Sequence, residues 1–292
     1  MAWIPPGTYR LGSDVHYPEE RPAHFATLAG FWIEKHAVTN ARFAAFVQAT
    51  EYVTIAERPL HPAEHPGLDA SLLQPGGLVF RPTSGPVDLR NVTAWWHFVP
   101  GANWRHPEGP ASTIAGRPDH PVVQVAFEDA QAYATWCDRA LPTEPEWEAA
   151  ARGGLDAAEY VWGNEFNPGG THLANTWQGA FPHQNLAADG YAGTSPVGAY
   201  PPNGYGLYDM AGNVWNWTTD WYSTGPAPHA CCAPAQPAIR AGCKVIKGGS
   251  FLCAPDYCRR YRPAARHPQL MDTPTCHIGF RCVVRRKEAL LF

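Results

Sequence analysis

With 292 residues, 45% of them apolar and 12% aromatic, the chain is long enough to bury a core and too apolar to be disordered. A net charge of −4 and an isoelectric point near 6.3 give no electrostatic case for a nucleic-acid partner. No apolar run approaches a membrane span, and Met1–Arg10 has neither the basic nor the apolar region of a signal peptide. The expected location is therefore cytoplasmic, where eight cysteines read as free, metal-binding or catalytic thiols and not as a disulfide framework.

Residues 1–34 alternate short apolar runs with turn residues, the pattern of short strands. Thr39 and Asn40 offer an N-cap to A-R-F-A-A-F-V-Q-A-T, where Phe43, Phe46 and Val47 share one helical face. Residues 57–121 are rich in His, Pro and Gly, with Trp95, Trp96 and Trp104 among them, and read as one long loop, either functional or packed by its own side chains. His61, His65, His97 and His106 lack helical ligand spacing and read as surface histidines beside prolines. A second helix is expected from about Glu128 to Ala140, with Ala130, Tyr133, Ala134 and Cys137 on one face. Thr143 and Glu146 form a capping box that opens a third helix. After Gly153 short strands and turns return. The 27 glycines and 30 prolines agree with little regular structure. No repeat or clean linker divides the chain, so one domain over residues 1–292 is expected.

The densest chemistry lies between Lys247 and Cys282, which holds Cys253, Cys258, Cys276 and Cys282. Cys253 and Cys258 stand in a C-x-x-x-x-C spacing among Arg259, Arg260, Arg262 and Arg266, and cationic neighbours favour thiolate over thiol. Gly248, Gly249 and Pro255 predict a bent backbone that turns both sulfurs toward one point. Two readings stand on the residues alone. One is a Cys253–Cys258 disulfide, favoured in a secreted chain. The other is a two-thiolate site, poor for zinc and suited to soft Cu(I).

Three stretches, R-A-L-P-T-E-P-E-W-E-A-A-A-R, G-Y-G-L-Y-D-M-A-G-N-V-W-N-W and K-G-G-S-F-L-C-A-P-D-Y-C-R-R-Y-R-P-A-A-R with I-G-F-R-C, resemble the formylglycine-generating enzymes of the sulfatase-modifying factor family, in a bacterial branch. The likeness covers nearly the whole chain. It implies a single compact α+β domain of low regular structure, related to the C-type lectin fold. It also implies a copper-dependent oxidase that converts a cysteine in the C-x-P-x-R motif of unfolded or nascent sulfatase to Cα-formylglycine with O2 and a thiol reductant. Cys253 and Cys258 match the copper pair, Ser250 the serine of G-G-S, and Arg266 the arginine that closes Y-R-x-A-A-R. The aromatic loop around Trp95, Trp96 and Trp104 is the expected wall of a peptide groove. A non-catalytic binding module of the same fold is the alternative, and it would leave both cysteines dispensable.

The resemblance also implies two calcium sites, with side-chain and carbonyl oxygens suited to a hard cation. Asn175, Thr176, Asp189 and Tyr191 match the first. Asp209, Met210, Gly212 and Val214 match the second, where Asn216 replaces a usual glutamate. His277 stands where many members carry an asparagine lining the substrate site, and Asp272 keeps an acidic position. Cys276 reads as a small loop residue. Many members pair a helix cysteine with that of G-F-R-C. Here Ala134 takes the helix position and Cys137 lies one turn on, leaving Cys137 and Cys282 as either a bridge or a reduced pair. Cys231 and Cys232 read as loop thiols.

Overall fold

The amino-terminal alternation forms four strands, β1 (Ala2–Ile4), β2 (Gly7–Leu11), β3 (His24–Leu28) and β4 (Phe31–Ile33). The computed structural model describes residues 1–60, 63, 67, 69, 73–224 and 238–285, so His61, His65, Cys231 and Cys232 lie outside the described residues. β2 and β3 make an antiparallel hairpin. β1 and β11 (Val283–Arg285) flank β4, both antiparallel to it, which joins the two ends of the described chain in one sheet.

Helix α1 (Asn40–Thr50) begins where its sequence announces it. Thr39 Oγ1 accepts from the Arg42 amide, and Phe43, Phe46 and Val47 are buried. Helix α2 spans Phe127–Trp136 and ends four residues before the expected Ala140. Asp138 adopts a left-handed conformation (φ 52°), and Ala140 instead exchanges backbone bonds with Val283. Helix α3 (Glu144–Ala151) has the expected capping box: Glu146 N donates to Thr143 Oγ1 at 3.3 Å and Thr143 N to Glu146 Oε2 at 2.8 Å.

The stretch read as one long loop contains an antiparallel hairpin, β5 (Gly76–Phe80) and β6 (Trp96–Pro100). Its tryptophans also divide. Trp104 packs edge-on against Phe43 in the main core, with ring centroids 5.2 Å apart, so it is no groove wall. Trp95 belongs to a second aromatic cluster with Trp177 and Phe181. His97 is exposed, and His106 Nδ1 bonds the Ser112 carbonyl. Neither joins a metal cluster: no group of three His, Cys, Asp or Glu side chains converges among the described residues.

Strands β7 (Trp215–Thr224) and β8 (Ala238–Lys247) run ten residues each, longer than the short strands expected after Gly153. Trp215, Asn216, Trp217 and Thr218 alternate apolar with polar as a strand does, yet all four are buried, so both faces of this part of β7 are covered. The sheet order is β10–β7–β8–β9, with β9 at Arg266–Leu270 and β10 at Ile278–Gly279. β8 and β9 pair as neighbours, Lys247 opposite Arg266. The segment 248–265 is therefore a loop whose two ends are fixed by one sheet. No helix among the described residues is long and apolar enough to cross a membrane.

Candidate functional site

The loop between β8 and β9 is held at its neck and at its far side by ion pairs. At the neck, Arg266 Nε and Nη2 donate to the two oxygens of Glu144 at 2.9 and 2.8 Å, and buried Lys247 reaches Glu148 at 3.0 Å. At the far side, Arg262 is fully buried against Glu20 and Arg260 Nη2 meets Glu19 at 2.6 Å. Gly248 and Gly249 let the chain turn between these anchors at φ 95° and 72°. A Cβ on Gly248 would come within 2.9 Å of the Trp147 ring, and one on Gly249 within 3.0 Å of the Arg260–Tyr261 backbone.

Within this frame the Cys258 amide donates to the Ala254 carbonyl at 2.8 Å, a single tight turn that brings Cys258 Sγ to 3.3 Å from Cys253 Sγ. Both thiols are free, since a disulfide would hold the sulfurs near 2.05 Å. Burial, then the proton shared with Cys258, pushes the Cys253 thiol well up. Cys258 moves the other way, down to about 7, because Cys253 donates to it and the Arg260 guanidinium lies 3.9 Å from its sulfur. Of the four arginines expected to favour thiolate, only Arg260 contacts a sulfur. Arg262 and Arg266 are committed to carboxylates, and Arg259 lies 3.5 Å from Glu159 and from the Tyr160 hydroxyl.

The sulfur pair lies in the wall of a cleft of about 160 Å3, together with Ser250. Ser250 is buried, its hydroxyl accepting from Leu252 N and its carbonyl from Cys253 N. Tyr257, between the cysteines, stacks on Phe181 at 4.4 Å and meets Trp95 edge-on at 5.5 Å. Across the cleft, His277 packs on Trp96 at 4.7 Å and His267 stacks on Trp215 at 5.8 Å. Desolvation, with His267 nearby, pushes His277 down to about 3, so its imidazole is neutral, and its Nδ1 bonds Thr275 Oγ1 at 2.8 Å. Asp272 is exposed and outside the cleft, and Cys276 points away from it, bonded by the Phe80 amide.

The structure does not bring Arg266 to the sulfurs. It stands at the loop neck, where its contacts are Glu144 and the Ser223 and Glu19 carbonyls. Sequence reasoning missed Glu19, Glu20 and Glu144, which hold this loop. Their partners are up to 247 residues away, and only the capping-box context marked Glu144 at all.

The sulfatase-modifying factor enzyme 1-like domain matches residues 1–286. The chain belongs to the sulfatase-modifying factor enzyme family. The formylglycine-generating enzyme of Mycobacterium tuberculosis is 58% identical over 287 residues, 96% of each chain. The inactive C-alpha-formylglycine-generating enzyme 2 of Mus musculus is 38% identical over 97% of this chain and 84% of its own length. Sequence likeness alone therefore does not separate active from inactive members. Among solved structures, PvdO from Pseudomonas aeruginosa aligns with a TM-score of 0.64 at 25% identity, covering 96% of this chain and 92% of that one. The α+β fold of this family, with its few helices, is the one expected.

The two oxygen sets suggested by the family differ in character. In the first, Asp189 accepts from Thr176 N at 2.8 Å and Tyr191 N at 3.0 Å, which gathers those residues around one carboxylate. Asn175 donates through Nδ2 to Gly193 O, and its buried Oδ1 has no hydrogen-bond partner. In the second set, Asn216 Nδ2 donates to the Val214 carbonyl, and Asn216 Oδ1 accepts from Arg281 Nε at 2.7 Å. The same buried guanidinium donates to the Tyr208 and Asp209 carbonyls at 2.9 and 3.1 Å. A buried positive charge thus stands beside Asp209, the carboxylate of this set.

Proposed function

We propose that this chain converts the cysteine of a C-x-P-x-R segment in unfolded sulfatase to Cα-formylglycine, with Cu(I) on Cys253 and Cys258, O2 as oxidant and a thiol as reductant. The observation that carries this reading is the pair of free sulfurs 3.3 Å apart in the wall of a cleft. Two soft donors with no third His, Cys, Asp or Glu converging on them among the described residues suit Cu(I) better than Zn2+. When bound, the copper would supply an open position for the substrate sulfur and one-electron chemistry toward O2.

The chain's own residues do the rest. Arg260 keeps negative charge on Cys258, and Tyr257, wedged between Phe181 and Trp95, fixes the turn that carries both cysteines. Ser250 anchors that turn through its carbonyl, and Arg266 acts as a positioning residue by fastening the neck to Glu144. In the overall change the substrate's Cβ loses two electrons and the reductant two more. With two protons, O2 and the substrate thiol become the aldehyde, one hydrogen sulfide and one water. A reducing compartment belongs to the same reading, because the pair must stay thiol.

A pH dependence follows. Metal binding requires both sulfurs deprotonated. Above about pH 7 the free pair carries one proton, on Cys253; below it, two. Log affinity for Cu(I) should therefore rise by about one per pH unit above 7 and by about two below it. A chelator competition series from pH 5.5 to 8.5 reads this, and a single slope throughout would show that Cys258 does not titrate there.

Calcium belongs at the first oxygen set. The orphaned Asn175 Oδ1, the Asp189 carboxylate and the Thr176 and Tyr191 carbonyls are hard donors, and an orphaned buried acceptor suits a cation. The second set suits a divalent cation less well, because the buried Arg281 guanidinium bonds the Asp209 carbonyl and the Asn216 amide takes the Val214 carbonyl. Calorimetry should give one Ca2+ per chain, lost in Asp189→Ala. Two in the unaltered protein would contradict the distinction.

The reaction itself is tested by mass spectrometry of a C-x-P-x-R peptide incubated in air with thiol and Cu(I)-loaded protein. Loss of the cysteine sulfur with gain of an aldehyde oxygen is expected. An untouched peptide with copper bound would overturn the assignment of substrate.

A further inference from the structure

A larger cavity, of about 530 Å3, lies behind the aromatic wall of the sulfur cleft. That volume is within the range of binding sites and not of packing faults. The two spaces are back to back: Phe251 lines the cavity and Leu252 the cleft, and Cys276 lines the cavity and His277 the cleft. Phe80 in the cavity wall packs edge-on against Trp96 in the cleft wall, 6.1 Å between centroids.

Four buried polar atoms of the residues around this cavity have no hydrogen-bond partner: Asn40 Oδ1, Trp177 Nε1, His183 Nδ1 and Asn185 Nδ2. Asn40 and Trp177 are only 4% and 3% exposed. Buried polar atoms are nearly always paired, and an orphan carries its desolvation cost with nothing to offset it. Four around one cavity mark a place built to receive hydrogen bonds.

The chemistry of the lining narrows the ligand. Glu108 and Arg117, the charged side chains on the wall, pair with each other at 2.9 Å. Asn40 spends its amide N–H on the Arg117 carbonyl, which leaves its oxygen as an acceptor. Trp177 and Asn185 offer N–H donors. Thr194 Oγ1 is bonded to His120, and most of the remaining wall is apolar, with Ile114 and Val123 beside the aromatic rings. A ligand matching this lining is uncharged, mostly apolar, and carries both C=O acceptors and an N–H donor along its length. Those are the properties of a peptide segment with aliphatic or proline side chains.

We propose that this cavity is a second subsite, which holds an uncharged aliphatic or proline-rich stretch of the same polypeptide whose cysteine enters the cleft. The proposal rests on the reading of the substrate as an unfolded polypeptide. It gives such a chain a second foothold, so that flanking sequence adds to KM discrimination without touching the chemistry at the sulfurs.

Two peptides of equal length test it, sharing one C-x-P-x-R core, one flanked by aliphatic and proline residues and the other by Gly and Ser. In the unaltered enzyme the aliphatic peptide should show about tenfold lower KM at equal kcat. Ala192→Trp, which puts an indole at the cavity's exposed rim, should abolish that gain and leave the Gly/Ser peptide as before. Equal KM for both peptides in the unaltered enzyme, or an equal loss for both in Ala192→Trp, would overturn the subsite. Should neither peptide be converted, the proposed reaction fails by itself. Anisotropy of a labelled aliphatic peptide with serine for cysteine then decides the subsite: binding weakened by Ala192→Trp supports it, and no binding ends it.

Discussion

Cys258→Ser is expected to abolish aldehyde formation, by on the order of a thousand-fold or more, while the protein stays folded. The argument is geometric. Cys258 is the sulfur held toward thiolate, by the bond from Cys253 and by Arg260. A serine hydroxyl stays protonated at any working pH and is no ligand for a soft metal. Removing one member of a unit costs nearly as much as removing the whole unit, so Cys253→Ser and the double variant should be as inactive as Cys258→Ser. The fold should survive, because the loop is fixed by its ion pairs and glycine turn. Far-ultraviolet circular dichroism and the urea midpoint check that. Residual turnover within tenfold of the unaltered enzyme in either single variant would remove the pair from the chemistry.

The second large effect is on stability. Arg262 is 1% exposed and bidentate to Glu20, with a further bond from Nε to the Arg259 carbonyl at 2.9 Å. Truncating one member of a buried ion pair strands the other charge, and Arg262→Ala is expected to cost about 3–5 kcal/mol. Glu20→Leu combined with Arg262→Met should recover much of the loss, because no charge is then left unpaired. Urea denaturation reads both, and an Arg262→Ala protein as stable as the parent would show that the pair does not hold the loop. Arg262→Ala should also weaken Cu(I) binding through the loosened turn.

Some of this was legible in the sequence. The caps of α1 and α3 depend on Thr39, Thr143 and Glu146, whose partners lie three residues away, so local spacing sufficed. The sulfur pair was legible for the same reason, since five residues and a turn bring Cys253 to Cys258. The environment of that pair was not. Four nearby arginines suggested one cationic cluster, but Glu19, Glu20 and Glu144 claim three of them from distant segments. The three tryptophans of residues 95–104 suggested one groove wall, but the end of the β5–β6 hairpin sends Trp104 to the core beside Phe43. Asn216 stands out in the sequence as a departure, yet that its oxygen receives Arg281 depends on packing across the whole sheet.

X-ray absorption at the copper edge on the Cu(I)-loaded protein, with and without a C-x-P-x-R peptide, tests the central claim most directly. Two sulfur neighbours at one copper per chain, rising to three when the peptide is added and absent in the Cys253→Ser, Cys258→Ser double variant, is the expected result. A nitrogen or oxygen shell, or copper held equally well by the double variant, would contradict the assignment of this pair as the metal centre.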